Sequence, residues 1–103
     1  MTKHYDLISI GAGSGGLSAA ERAAKYGKKC AIIEPGALGG TCVNVGCVPK
    51  KVMWYAANLA HDLKTAAGYG FSLEKTAFDW NHLVKARNLF VSNINNWYYT
   101  FLE

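Results

Sequence analysis

Residues 5–17 read Tyr-Asp-Leu-Ile-Ser-Ile-Gly-Ala-Gly-Ser-Gly-Gly-Leu, a short β-rich run that breaks into a glycine cluster and then into small residues. Tyr5 to Ile10 is apolar-rich and bounded by glycine, the pattern of a strand. Gly11-Ala12-Gly13-Ser14-Gly15-Gly16 matches G-x-G-x-x-G. Glycine clusters are common in loops, so the match alone says little; its place, directly after a strand and opening a helix, gives it meaning. There Gly11 allows the tight turn, Gly13 lets backbone approach a pyrophosphate, and Gly16 permits close helix–strand packing. Free N–H groups and the positive end of the helix dipole then favour phosphate.

Outward from this turn, Ser14 to Tyr26 carries Leu17, Ala20, Ala23 and Ala24 on one helical face, and Gly27 follows as a helix terminator. Lys29 to Glu34 is a nearly continuous apolar run, expected of a strand buried on both faces. Strand, helix and strand make a βαβ unit with a right-handed crossover. Glu34 ends the second strand eighteen residues beyond Gly16. A carboxylate there accepts bonds from adenosine ribose hydroxyls and repels a 2′-phosphate. These features point to a dinucleotide rather than a purely structural turn, without choosing between FAD and NAD.

Beyond Pro35 the sequence predicts a glycine-rich loop, then a helix from Lys50 to about Lys64 introduced by Pro49. Val52, Ala56, Leu59, Ala60 and Leu63 form its apolar stripe. Ala67-Gly68-Tyr69-Gly70 is a break. Asp79 can cap a last helix with Trp80, Val84, Val91, Ile94, Tyr98 and Phe101 spaced by four and three, Arg87 filling the gap in the series. The two stripes suggest an antiparallel helix pair. The fold class is therefore α/β: an incomplete Rossmann-like unit (βαβ, a cysteine loop and helix, a helix pair) in which the usual third strand is missing. Residues 1–103 are expected to be the N-terminal portion of a longer nucleotide-binding domain.

A chain of 103 residues allows one domain at most, and 50% hydrophobic with 13% aromatic content excludes a disordered chain. Three cysteines cannot form a fully paired disulfide scaffold. The net charge of +4 is spread without a basic stripe, which suits a solvated surface or a phosphate-bearing cofactor rather than nucleic acid. The longest uncharged run, Pro35 to Pro49, is too short and too rich in glycine and asparagine to span a bilayer. Lys3 and the uncharged stretch after Asp6 imitate a signal peptide, but Gly11, Gly13, Gly15 and Gly16 break its apolar core, so a cytoplasmic location is expected.

Cys42-Val43-Asn44-Val45-Gly46-Cys47 sets two cysteines five apart, just ahead of Pro49. The spacing is too wide for a zinc knuckle, and His4, His61 and His82 are scattered, so no metal is expected. Two thiols near a helix N-terminus can close a disulfide, and the dipole with Lys50 and Lys51 would lower a thiolate pKa. Such thiolates carry out exchange. The bland alternative is two structural thiols. Cys30, inside the second strand, reads as a packed small hydrophobe.

Gly39-Gly40-Thr41-Cys42-Val43-Asn44-Val45-Gly46-Cys47-Val48-Pro49-Lys50-Lys51, with Val52-Met53-Trp54 after it and the glycine turn before it, resembles the redox-active signature of the FAD-dependent pyridine nucleotide-disulfide oxidoreductases, the glutathione reductases being the nearest group. The resemblance implies FAD as cofactor and NADPH as co-substrate. It implies FAD contacts from Gly11, Gly13, Ser14, Gly15, Gly16, Glu34, Gly40, Thr41, Cys42, Gly46, Cys47 and Lys50, with Lys50 close to the flavin's reactive nitrogen. Cys47 would be the flavin-facing thiol of a charge-transfer complex, and Cys42 the interchange thiol that attacks glutathione disulfide. Ser14 and Tyr98 would touch that substrate, although Tyr98 also fits plain helix packing. A homodimer is implied.

Glu21 departs from the pattern, standing where some glutathione reductases place an arginine for an anionic substrate. Trypanothione reductases, which take a cationic substrate, share the cysteine motif, and dihydrolipoamide dehydrogenases and mercuric reductases resemble it. The family's NADPH domain, interface domain and catalytic His-Glu pair would lie beyond residue 103, and none of His4, His61 or His82 fits that role. The chain by itself is therefore not expected to complete a cycle. The competing readings are a non-enzymatic FAD-binding remnant and a plain NAD-binding Rossmann protein.

Overall fold

A computed structural model of the chain describes residues 1–74 and 77–103. Its elements run β1 (Leu7–Ile10), α1 (Ser14–Lys25), β2 (Cys30–Ile33), α2 (Gly40–Val45), α3 (Cys47–Thr65), a 3₁₀ turn (Ala66–Tyr69) and α4 (Trp80–Leu102). The two strands are parallel, with Leu7 opposite Cys30 and Ile10 opposite Ile33. Asp6 starts the ladder: its N–H donates to the Lys29 carbonyl at 2.8 Å and its carboxylate accepts from the Lys29 N–H at 2.8 Å. Parallel neighbours need a crossover, and α1 supplies it by laying Leu17 and Ala20 against the sheet. α1 ends in a Schellman motif, Lys28 N–H to Ala23 O and Gly27 N–H to Ala24 O, as Gly27 predicts.

Gly16 shows why the motif needs glycine at its last position. A Cβ there would run into the Gly11 carbonyl oxygen, so α1 can approach β1 only without a side chain. The Ser9 hydroxyl uses that closeness, donating to the Gly16 carbonyl at 3.0 Å.

Ala12, Leu17 and Leu38 form the core cluster, with Ile32 and Tyr98 packed against it. The core is small. Among the described residues no large side chain is fully buried, and Ile10 on β1 is 89% exposed. The expectation that β2 is buried on both faces is not met: its first three residues are half-buried and Ile33 is exposed. A two-stranded sheet covered by one crossover helix has too few neighbours to shield both faces.

The segment after Pro35 also differs from the predicted loop. Gly40–Val45 forms the short helix α2, and α3 begins at Cys47, earlier than the expected Lys50. Pro49 lies in the first turn of α3, where its missing N–H needs no partner. Asp79 caps α4 as expected, its Oδ1 accepting from the His82 N–H at 3.1 Å.

α3 and α4 pack antiparallel: Pro49 and Met53 share a groove with Val91 and Asn95, while Leu59 and Leu63 share one with Phe78 and Leu83. On α4 the predicted stripe is half-buried at Val84, Arg87, Val91, Ile94 and Tyr98, whereas its ends, Trp80 and Phe101, are exposed. The pair projects from the βαβ head, giving a body of 68 × 25 × 18 Å. No helix among the described residues is long and apolar enough to cross a membrane.

Candidate active site

The glycine turn and the cysteine segment meet at one backbone contact. Gly39 N–H donates to the Ala12 carbonyl at 2.8 Å, which seats the start of α2 against the turn. Gly40 sits at φ +69°, and a Cβ on it would lie 2.6 Å from the Gly13 Cα. Glycine is needed there on both counts, since the left-handed region is strained for side-chain-bearing residues and the space is taken.

The turn leaves its helix end open. Gly13 caps α1 without a side-chain bond, and the first turn of α1 holds no acidic residue. Ser14 and Gly15, at this helix N-terminus, are both exposed, and free N–H groups at such an end favour a phosphate. Glu34 stands at the edge of this turn. Its Oε1 accepts from the Ala12 N–H and its Oε2 from the Gly36 N–H, each at 3.1 Å. Those two bonds hold its carboxyl below the usual carboxylate range. Each oxygen keeps a lone pair for a ribose hydroxyl, so the residue fits the role expected of it and also buttresses the loop.

Cys42, on α2, and Cys47, the first residue of α3, are both free thiols. Gly46 makes their approach possible. A Cβ on Gly46 would lie 2.9 Å from the Thr41 carbonyl oxygen and 3.2 Å from the Cys42 Cα. With hydrogen there instead, the chain doubles back and sets the two cysteines beside each other, near enough for Cys47 to perturb the Cys42 thiol. Cys47 pushes that thiol above its ordinary value, with desolvation adding to it and the backbone N–H groups of Cys47 and Val48 opposing it. The expectation that a helix end and two lysines lower the thiolate pKa therefore fails for Cys42. The influence of the neighbouring Cys47 outweighs the opposing backbone N–H groups.

Lys50 stands one turn along α3 from Cys47, its N–H donating to the Gly46 carbonyl at 3.0 Å. Its exposed side chain lines a cleft of about 560 Å³ between α3 and α4, which Arg87 also enters. Thr41 is exposed beside Cys42. Tyr98 packs, half-buried, against the cluster of Ala12, Leu17 and Leu38. Glu21 pairs with Lys25 at 3.1 Å on the exposed face of α1. Cys30 is half-buried, its thiol donating to the Lys28 carbonyl at 3.6 Å. Among the described residues no three His, Cys, Asp or Glu side chains gather as a metal site would require.

Two residues escaped the motif reading. Asn44 donates its side-chain amide to the Leu38 and Gly40 carbonyls at 3.1 and 2.9 Å. Asn95, on α4, donates to the Leu38 carbonyl at 2.6 Å and to Asn44 Oδ1 at 2.9 Å. The one sequence signal for Asn95 is a polar residue set beside the apolar stripe, between Ile94 and Tyr98.

A parallel βαβ unit with a glycine turn thus meets, through Gly13 and Gly40, the segment that carries two neighbouring thiols. The chain belongs to the pyridine nucleotide-disulphide oxidoreductase family, whose profile matches residues 5–96. Its relatives include the glutathione reductase of Yarrowia lipolytica, 50% identical over 99 residues (92% of this chain, 21% of the relative). The glutathione reductase of Schizosaccharomyces pombe is 48% identical over 100 residues (95% and 22%). That of Nostoc sp. strain PCC 7120 is 47% identical over 103 residues (100% and 22%). The chain spans about a fifth of the length of these curated relatives.

Proposed function

We propose that this chain is the N-terminal, FAD- and disulfide-bearing part of an NADPH-dependent glutathione-disulfide reductase that works as a homodimer in the cytoplasm. The observation that carries the reading is the close fold of the chain at Gly46, which sets Cys47 beside Cys42 on a segment bonded to the glycine turn through Gly39 and Ala12. The family match and the names of the relatives support it. FAD, when bound, passes an electron pair from NADPH to the disulfide. The turn Gly11–Gly16 and Glu34 would hold its pyrophosphate and adenosine ribose, and Thr41 and Lys50 would hold the flavin end.

On the substrate side the chemistry is exchange. The Cys42 sulfur, once deprotonated, attacks one sulfur of glutathione disulfide, forming a mixed disulfide and expelling one glutathione thiolate. Cys47 then attacks the Cys42 sulfur, closing the Cys42–Cys47 bond and releasing the second glutathione thiolate. The raised pKa of Cys42 means that this attack needs a base. His61 lies fourteen residues beyond Cys47 on α3, about 21 Å along the helix, and does not serve. A base from elsewhere in the longer protein is therefore part of the proposal. The exposed Glu21–Lys25 pair partly offsets the charge of Glu21, which lessens its repulsion of an anionic substrate.

The test is spectroscopic. Reducing the full-length flavoprotein by two electrons should raise a long-wavelength absorption band that Cys47→Ser abolishes and Cys42→Ser preserves. A band that survives Cys47→Ser refutes the role given to Cys47, and colourless protein that binds NAD refutes the flavin assignment.

A further inference from the structure

We propose that Asn95 is a positioning residue for the Cys42–Cys47 pair. Reaching from α4, its amide anchors the backbone that carries Cys42, so that the two sulfurs stay within bonding reach. The proposal rests on the reading of the pair as a redox couple.

The network is short and complete. Asn44 lies between the two cysteines, and both of its amide protons are used within its own segment, on the Leu38 and Gly40 carbonyls. Its remaining polar atom, Oδ1, accepts from Asn95, fifty-one residues away. Asn95 spends its second proton on the Leu38 carbonyl at 2.6 Å, the shortest bond of the four. Leu38 is buried and both asparagines are half-buried, so water replaces these bonds poorly. No other side chain of α4 makes a hydrogen bond to α2 or to the loop before it among the described residues. Without Asn95, only apolar contacts such as that of Tyr98 with Leu38 tie α4 to this segment, and apolar contacts do not fix register.

The consequence for chemistry follows from disulfide geometry. A sulfur–sulfur bond forms only over a narrow range of Cα separations and side-chain directions. The stability of the disulfide relative to the dithiol rises with the fraction of time the thiols spend in that range. Releasing α2 from α4 lowers this fraction and favours the dithiol. Asn95→Ala and Asn95→Asp should each shift the dithiol–disulfide equilibrium about tenfold toward dithiol, a rise in midpoint of about 30 mV for a two-electron couple.

The experiment is a titration of the full-length flavoprotein in glutathione redox buffers. Free Cys42 and Cys47 are trapped by alkylation and counted by peptide mass, with flavin content and thermal melting recorded alongside. Asn95→Asp keeps the side-chain volume while removing the donor, and so remains informative if Asn95→Ala fails to fold. The exposed Asn96→Ala is the control and should match wild type. Asn44→Ala and Asn95→Ala together should shift the midpoint by less than the sum of the two single changes, because they share the Asn95–Asn44 bond. Midpoints unchanged in both Asn95 variants, even with lowered melting, would reduce Asn95 to a stability role and overturn the proposal. Fully additive shifts would overturn it as well. A wild-type pair that does not titrate reversibly would instead sink the redox reading beneath it.

Discussion

Cys42 owes its raised pKa chiefly to its neighbour Cys47. Removing that side chain should therefore lower it, leaving the Cys47 and Val48 N–H groups to favour the thiolate. Cys47→Ala is therefore expected to speed alkylation of Cys42 at neutral pH and to move the rate profile to lower pH; an unchanged profile would contradict the assignment. Glu34 works in the opposite sense. Its folded pKa is depressed by the Ala12 and Gly36 N–H groups. It therefore adds stability that is fully present above its unfolded pKa and lost as pH falls through the folded value. Acid titration of wild type should loosen the turn in that window, and Glu34→Gln should lose this part of the pH dependence, as read by tryptophan fluorescence or hydrogen exchange at Ala12. Gly40→Ala should cost on the order of 1–2 kcal/mol from backbone strain alone. It should also weaken dinucleotide binding, because the Cβ meets the Gly13 Cα.

Among the elements, local signals explain the ones that local chemistry decides. α1 stops at a Schellman motif that Gly27 announces, and α4 starts at Asp79, whose side chain accepts from the His82 N–H. Asp79→Ala should cost about 1 kcal/mol in thermal or denaturant unfolding, mainly by fraying the first turn of α4. α2 carried no such signal. A glycine, an asparagine and three β-branched residues in six positions argue against a helix, and Gly39–Ala12 and Asn44–Leu38 bonds hold it in place. The early start of α3 has the same origin: Gly46 lets the chain turn sharply onto Thr41 and Cys42, so the helix begins at Cys47 itself.

At the scale of the molecule, the radius of gyration is 20.1 Å, against about 13 Å for a compact chain of this length. The accessible surface is 8222 Å², where a compact monomer of 11.2 kDa has about 5,700 Å². The excess lies largely on the helix pair, where Trp54, Leu59, Phe78, Trp80 and Trp97 are all more than half exposed. Stability should therefore be uneven along the chain. Hydrogen exchange on the 103 residues is expected to show protection around Ala12, Leu17, Ala20, Leu38 and Val43, and faster exchange at the far ends of α3 and α4. Uniform protection through both helices would contradict this.

Read without a structure, the chain already declared a nucleotide turn, a terminal acid at Glu34 and a cysteine pair, because each depends on residue types at short fixed spacings. It also declared the antiparallel helices through their apolar period. Folding in three dimensions decided how these parts touch: Gly40 against Gly13, Cys42 raised in pKa by Cys47, and Asn95 reaching the Leu38 carbonyl across 57 positions. Short-range patterns fix backbone geometry within a turn or two. Burial, pKa shifts and long-range hydrogen bonds depend on which surfaces meet, and no local pattern encodes that.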